Sequence, residues 1–168
     1  MCVLQTDRLC LHQLSTKDAP FILALLNTPG WLEFIGDRGV RNLADARNYI
    51  LNGPVASYNQ RGFGLYLVTL TESRLPIGLC GLLKRESLAD VDIGFAFMPE
   101  YTRQGYAYEA ASAVLTYARA TLDLKRIVAI TAPGNQRSIS LLERLGLRYK
   151  AIIKLAGQTE ESILYETS

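Results

Sequence analysis

The residues best suited to do chemistry lie in one segment, 92–112, which reads DIGFAFMPEYTRQGYAYEAAS. Residues 91–97 alternate large apolar side chains with small or acidic ones, the pattern of a strand with one bulky face and one face with room. Met98-Pro99 ends that strand. Proline has no N–H to give a neighbouring strand, and a broken ladder leaves a gap for a ligand. From Tyr106 onward the apolar positions Ala107, Ala110, Ala111, Val114, Leu115, Ala118 and Leu122 recur at helical spacing. Gly105 and Ala107, at the start of this helix, leave its unpaired N–H groups and partial positive charge open to an anion. Arg103 adds a cation beside them. The chemistry this supports is the cradling of a phosphate. The loop carries neither the lysine-bearing glycine loop of nucleoside triphosphatases nor the three-glycine turn of dinucleotide folds, which argues against ATP, GTP and NAD.

The elements that must position this segment can be read from period and punctuation. Residues 9–14 form a strand, and Ser15-Thr16-Lys17-Asp18 offers N-cap chemistry for a helix bearing Phe21, Ile22, Leu25 and Leu26. Asn27-Thr28-Pro29-Gly30 stops it, and a loop with Trp31, Phe34, Gly36 and Gly39 follows. A second helix over 42–51 carries Asp45 in its first turn and is closed by Asn52-Gly53-Pro54. Residues 64–70 and 77–83 are strand-like and joined as a hairpin through 71–76. After the strand at 91–97 and the helix over 106–122 come a strand at 126–131, a helix over 138–145 capped by Gly146, and a closing hairpin of 149–155 with 162–166. The order βααβββαβαββ predicts a mixed α/β (α+β) sheet in a single domain over 1–168.

Composition narrows the partners. The chain has 168 residues, 49% hydrophobic and 20% charged, enough for one sizeable core. Eighteen Lys plus Arg against sixteen Asp plus Glu leave a net charge of +2, too balanced for an electrostatic grip on nucleic acid or anionic lipid. Cys2, Cys10 and Cys80 form neither a CxxC pair nor a Cys/His cluster, and their odd number leaves one unpaired in any scheme, so a reducing compartment is the simpler reading. The sole histidine, His12, sits between Leu11 and Leu14 in an apolar segment and reads as structural, leaving no metal site and no triad. No apolar run approaches the roughly 20 residues that span a bilayer, and Thr6-Asp7-Arg8 interrupts the start too early for a signal peptide. A cytoplasmic protein with no membrane partner is expected.

The order of elements and several separate motifs resemble the GNAT superfamily of acetyl-CoA-dependent N-acetyltransferases. Thr6-Asp7-Arg8-Leu9, Phe34-Ile35-Gly36, Asp92-Ile93-Gly94-Phe95, Pro99-Glu100-Tyr101, Gly105 through Ala110, Asn135 through Ser138 and Leu145-Gly146-Leu147 resemble its RimJ/RimL-type branch. The resemblance spans nearly the whole chain. It implies a GNAT-like fold: a mostly antiparallel central sheet with a splayed pair of parallel strands and helices on both faces. It also implies acetyl-CoA as co-substrate and no metal.

The resemblance further assigns roles. Backbone amides near Phe97 and Met98 would face the thioester carbonyl. Those of Arg103, Gln104, Gly105, Tyr106, Ala107 and Tyr108 would hold the pyrophosphate, with Thr102 standing where the family loop usually has Gln or Arg. Asn135 matches a cofactor-contacting asparagine. The family's common acid, a Tyr seven residues further on, is replaced by Leu142, and Ser138 matches the serine proposed for that role in the branch. Ser138 also reads as a helix cap, and the two roles are compatible. Direct transfer then needs a base for the amine: Asp92, with Glu33 and Asp37 as alternatives and a water chain as a third. Trp31, Phe34 and Glu33 would border the acceptor. The expected activity is acetylation of a primary amine, such as the α-amine of a protein N-terminus, by a monomer or homodimer. The rivals are a small-molecule acceptor such as a polyamine, amino acid or antibiotic, and an acyl-CoA-binding module without transfer.

Overall fold

The computed structural model describes residues 2–167. Its strands are β1 (Leu4–Gln5), β2 (Leu9–Gln13), β3 (Leu65–Leu70), β4 (Pro76–Leu83), β5 (Val91–Phe97), β6 (Ile127–Thr131), β7 (Arg148–Ile153) and β8 (Ser162–Glu166). They form one sheet in the order β1-β2-β3-β4-β5-β6-β8-β7. Every pairing is antiparallel except β5 with β6. The α helices are α1 (Ala19–Leu25), α2 (Pro29–Phe34), α3 (Leu43–Ile50), α4 (Ala56–Arg61), α5 (Tyr106–Ala120) and α6 (Gln136–Arg144). The mixed sheet with one parallel pair matches the expected architecture.

Helices cover both faces because β3 and β4 are apolar on both. Tyr66, Val68, Cys80 and Leu82 pack with Ala110, Ala111, Val114 and Ala118 of α5 and Leu142 of α6. Leu65, Leu67 and Leu79 pack with Ile22 and Leu25 of α1, Trp31 of α2 and Ala46 and Ile50 of α3. A strand buried on two sides shows an unbroken apolar run, which is why 64–70 and 77–83 lack clean alternation.

Three elements differ from the sequence reading. A short N-terminal hairpin, β1 with β2, sets Gln5 opposite Cys10 and brings Cys2 beside Cys10 as a disulfide with a Cα–Cα distance of 5.6 Å. Cys80 stays unpaired and buried, so the cysteine pattern no longer argues for a reducing compartment. The loop expected after α1 is helical over Pro29–Phe34: the Thr28 hydroxyl accepts from Trp31 N, and Pro29 takes the first position, where a missing N–H costs nothing. Asn52-Gly53-Pro54 does not close the second helix. The chain passes through a π turn at Leu51–Val55 with Pro54 inside it, then α4, and stops at Gly62 with φ 81°. A wide turn absorbs the N–H that Pro54 lacks, and burying Pro54 offsets the break.

No helix among the described residues is long and apolar enough to cross a membrane. Gly81 marks the tightest approach in the sheet. A Cβ there would lie 2.1 Å from the Gly64 carbonyl oxygen and 2.8 Å from Leu65 Cα, both backbone atoms. Gly81→Ala is expected to lower unfolding free energy by about 1–3 kcal/mol in urea titrations, since β3 and β4 must part to admit the methyl group. An unchanged urea midpoint would contradict so close a pairing.

Candidate active site

The site begins where the sheet opens. β5 and β6 pair only through Val91 with Ile127 and Asp92 with Val128, and past these residues no pairing joins them. On its other edge β5 stays paired to β4 along its length, and the Met98 amide donates to the Ile77 carbonyl at 2.9 Å. Antiparallel partners alternate between bonded and non-bonded pairs, so Met98, Ala96 and Gly94 direct their backbone groups toward β4. Ile93, Phe95 and Phe97 direct theirs into the gap. Of the two amides expected to meet a thioester carbonyl, the one at Phe97 faces the opening. The one at Met98 is already bonded to Ile77, a correction that follows from strand parity.

Beyond Met98 the chain makes a 3-10 turn, Pro99–Tyr101, and enters α5 through a loop with two left-handed residues, Arg103 at φ 63° and Gly105 at φ 83°. Gly105 is the N-cap of α5 and no side chain caps the helix. The first amide to find a helical acceptor is that of Glu109, bonded to the Gly105 carbonyl at 3.0 Å. The amides of Tyr106, Ala107 and Tyr108 are therefore open to an anion, as the sequence implies. Arg103 and Gln104 are exposed on the loop, and the Gln104 side chain donates to the Glu100 carbonyl. Tyr108 is exposed, with the Arg144 guanidinium 4.8 Å from its ring centre.

Asp92 lies on the face of β5 that also carries Gly94 and Ala96, whereas Ile93, Phe95 and Phe97 pack toward α5. Its side chain is 1% exposed, and Arg85 Nε lies 3.3 Å from both carboxylate oxygens. Burial pushes its pKa up to about 6, with the Arg85 guanidinium opposing the rise. Of the two alternative bases, Glu33 is exposed on α2. Asp37 is held at about 2 by hydrogen bonds from Arg41 and the Gly39 amide, a weak proton acceptor. Trp31 is buried among α1, α3 and β3, so it is a core residue rather than part of an exposed wall; its indole N–H has no partner among the described residues. Phe34 is half-buried at the end of the same short helix. Trp31 of this helix belongs to the hydrophobic cluster against which Ala96 and Met98 pack.

At the far side, α6 begins with Asn135 as N-cap, whose Oδ1 accepts from the Ser138 amide at 3.3 Å. The cap is thus Asn135. Ser138 occupies the first turn and its hydroxyl makes no hydrogen bond among the described residues, which leaves it available. Leu142, where many relatives have a tyrosine, is buried in the core. His12 is half-buried in β2 beside Thr69, and burial lowers its pKa, in keeping with a structural role.

A family model described as an acetyltransferase (GNAT) domain matches residues 8–148. The uncharacterized N-acetyltransferase YoaA of Bacillus subtilis is 28% identical over 154 residues, covering 90% of this chain and 86% of the relative. An acetyltransferase from Agrobacterium tumefaciens superposes with a TM-score of 0.80 at 26% identity, over 98% of this chain and 93% of that one. RimL, a ribosomal L7/L12 α-N-protein acetyltransferase solved with coenzyme A, shares the fold with a TM-score of 0.81 at 20% identity, over 99% and 97%. Fold and relatives define an acetyltransferase. The chain belongs to the GNAT family.

The elevated Asp92 pKa has a stability consequence. An acid whose folded pKa exceeds its ordinary value of 3.8 binds more protons folded than unfolded between the two, so its contribution is complete below 3.8 and is lost as pH rises through about 6. In urea titrations the unfolding free energy of wild type relative to Asp92→Asn is expected to fall by about 2.4 kcal/mol between about pH 4 and about pH 7.5. A flat difference would show a solvated carboxylate.

Proposed function

We propose that the protein transfers an acetyl group from acetyl-CoA directly to a primary amine, with the α-amine of a peptide or protein N-terminus as the first acceptor class. The observation that carries this reading is the open edge of β5 beside the uncapped start of α5. An extended pantetheine arm can follow that edge with its thioester end at Phe97 while the diphosphate meets the amides of Gly105 through Tyr108. The cofactor supplies an activated acetyl thioester.

The chain's own groups then have three tasks. The Phe97 amide, fixed by the β4 ladder on the other side of its strand, is a preorganised donor for the charge that builds on the carbonyl oxygen. The Ser138 hydroxyl, free of capping duty, donates a hydrogen bond to the departing sulfur, whose thiol has an ordinary pKa of about 8.5, so that it needs only modest help and takes its proton from water as the amine gives one up. Asp92 accepts the proton of the amine through a chain of waters, because it stands five residues before Phe97 on an extended strand, about 16 Å away. Burial sets its carboxyl pKa at about 6, close enough to neutral pH to take up and release a proton, and it shares a face of β5 with Gly94 and Ala96. The RimL neighbour is a ribosomal L7/L12 α-N-protein acetyltransferase, which supports the acceptor class.

Calorimetric titration with acetyl-CoA, followed by a screen of free-N-terminus peptides and small amines for thiol release, tests the reading. Absence of heat at millimolar acetyl-CoA would overturn it, and thiol release with small amines alone would reassign the acceptor. Ser138→Ala is expected to lower kcat about tenfold or more with the acetyl-CoA Kd unchanged; unchanged turnover would leave Ser138 a helix residue only. For Asp92, kcat is expected to rise through about pH 6 and then level off, and Asp92→Asn to remove that limb with a loss of about 100-fold or more. A limb that survives the substitution would point to water as the proton acceptor.

A further inference from the structure

The first turn of α5 contains an electrostatic conflict. Glu109 stands four residues past Gly105, within one helical turn of the amides that would hold a diphosphate. A free carboxylate there would repel the same ligand that the helix start attracts. It is not free. Its oxygens accept from Thr6 Oγ1, from the Arg8 amide at 3.0 Å and from Arg8 Nε at 2.7 Å, so the segment leading into β2 draws the charge away from the helix start.

Arg8 does more than neutralise. Its Nη1 donates to the Gln104 carbonyl at 3.1 Å, and its guanidinium stacks 4.3 Å from the centre of the Tyr106 ring. Its Nη2 lies 3.2 Å from where a Cβ on Gly105 would stand. The planar fork thus reaches Glu109 on the helix and Gln104 on the loop at once, with Tyr106 beneath it. In a trans peptide the C=O and the following N–H point in opposite directions. A bond that draws the Gln104 oxygen toward Arg8 therefore turns the Gly105 N–H the other way, out of the clamp. Were this peptide to flip, a carbonyl oxygen would replace an amide as the group offered to the anion. Flipping is a real alternative here, because glycine tolerates both orientations and the adjacent Arg103 already holds a left-handed backbone.

We propose that Arg8, oriented by Glu109 and Thr6, is a positioning residue that locks the Gln104–Gly105 peptide with its N–H available to the cofactor diphosphate. This rests on the acetyl-CoA reading above. Nothing in the clamp touches the reacting atoms, and it acts through the loop.

The test separates positioning from simple charge. Acetyl-CoA binding is measured by calorimetry, and binding of S-acetylpantetheine, which lacks the diphosphate, by ligand-observed NMR, for wild type, Arg8→Lys and Glu109→Gln. Arg8→Lys keeps the charge but loses the fork, and an acetyl-CoA Kd about tenfold weaker is expected. Glu109→Gln removes a negative charge near a polyanion, so electrostatics alone predicts tighter binding. The clamp predicts about tenfold weaker binding, because a carboxamide cannot accept from all three donors. The double variant should bind no worse than the weaker single one, as parts of one unit. S-acetylpantetheine affinity should not move, and for acetyl-CoA turnover KM should rise while kcat stays within about twofold.

Tighter or unchanged acetyl-CoA binding in Glu109→Gln overturns the proposal, as does an equal loss for both ligands. Where a variant melts well below wild type, Thr6→Val, which deletes one donor to Glu109, takes its place; a loss of about two- to threefold is expected, and no change counts against the clamp. Failure of wild type itself to bind acetyl-CoA would instead strike the underlying reading of the site.

Discussion

Past Asp92 and Val128 the two parallel strands at the middle of the sheet stop hydrogen-bonding to each other, and the rest of the molecule is arranged around that opening. Backbone amides left unpaired near a protein core must find partners, whether in water or in a ligand. Both sheet halves are anchored independently: β5 to β4 along its full length, and β6 to β8 through four residue pairs. The gap is therefore held open by its flanks. Helices on both faces keep the halves from sliding, with α5 and α6 over one face and α1, α2 and α3 over the other.

Ligand polarity follows from the same geometry. β5 runs outward from its buried end at Asp92, breaks at Pro99 and returns as α5, so the strand edge and the helix start lie in sequence along one path. In the proposed reading, an acyl carrier lies along that path with its long neutral arm on the strand and its anionic end at the helix. The loop between them has two left-handed residues and is exposed, so its conformation depends on contacts from outside. Arg8 and Glu109 supply those contacts across 101 residues of chain.

Much of this was legible in the sequence. The 91–97 strand matches its expected bounds, and the helix starting at Tyr106 begins where the Gly105-Tyr106-Ala107 pattern puts it, because period and a cap are local properties. The uncapped helix start was visible for the same reason: it is built from consecutive residues. Asn135 and Ser138 were both visible, yet which of them caps α6 was not, since two residues of suitable type lie within one turn. Thr6, Arg8 and Glu109 stood within recognisable motifs, but nothing local shows that one arginine answers a glutamate a hundred residues away.

Local pattern set the identity and order of the main elements and the small-residue loop that opens α5, which depend on neighbours within a turn or two, and composition set the small net charge. Tertiary structure alone decided the rest. It chose which β5 amides are free, since parity is set by the partner strand; this gave Phe97 to the gap and Met98 to Ile77. It joined Cys2 to Cys10 through a hairpin of only two paired positions, carried a helix through Pro54 by burying it, and raised the Asp92 pKa by removing water. Each of these outcomes rests on burial or pairing between distant segments, a quantity that no single stretch of sequence contains.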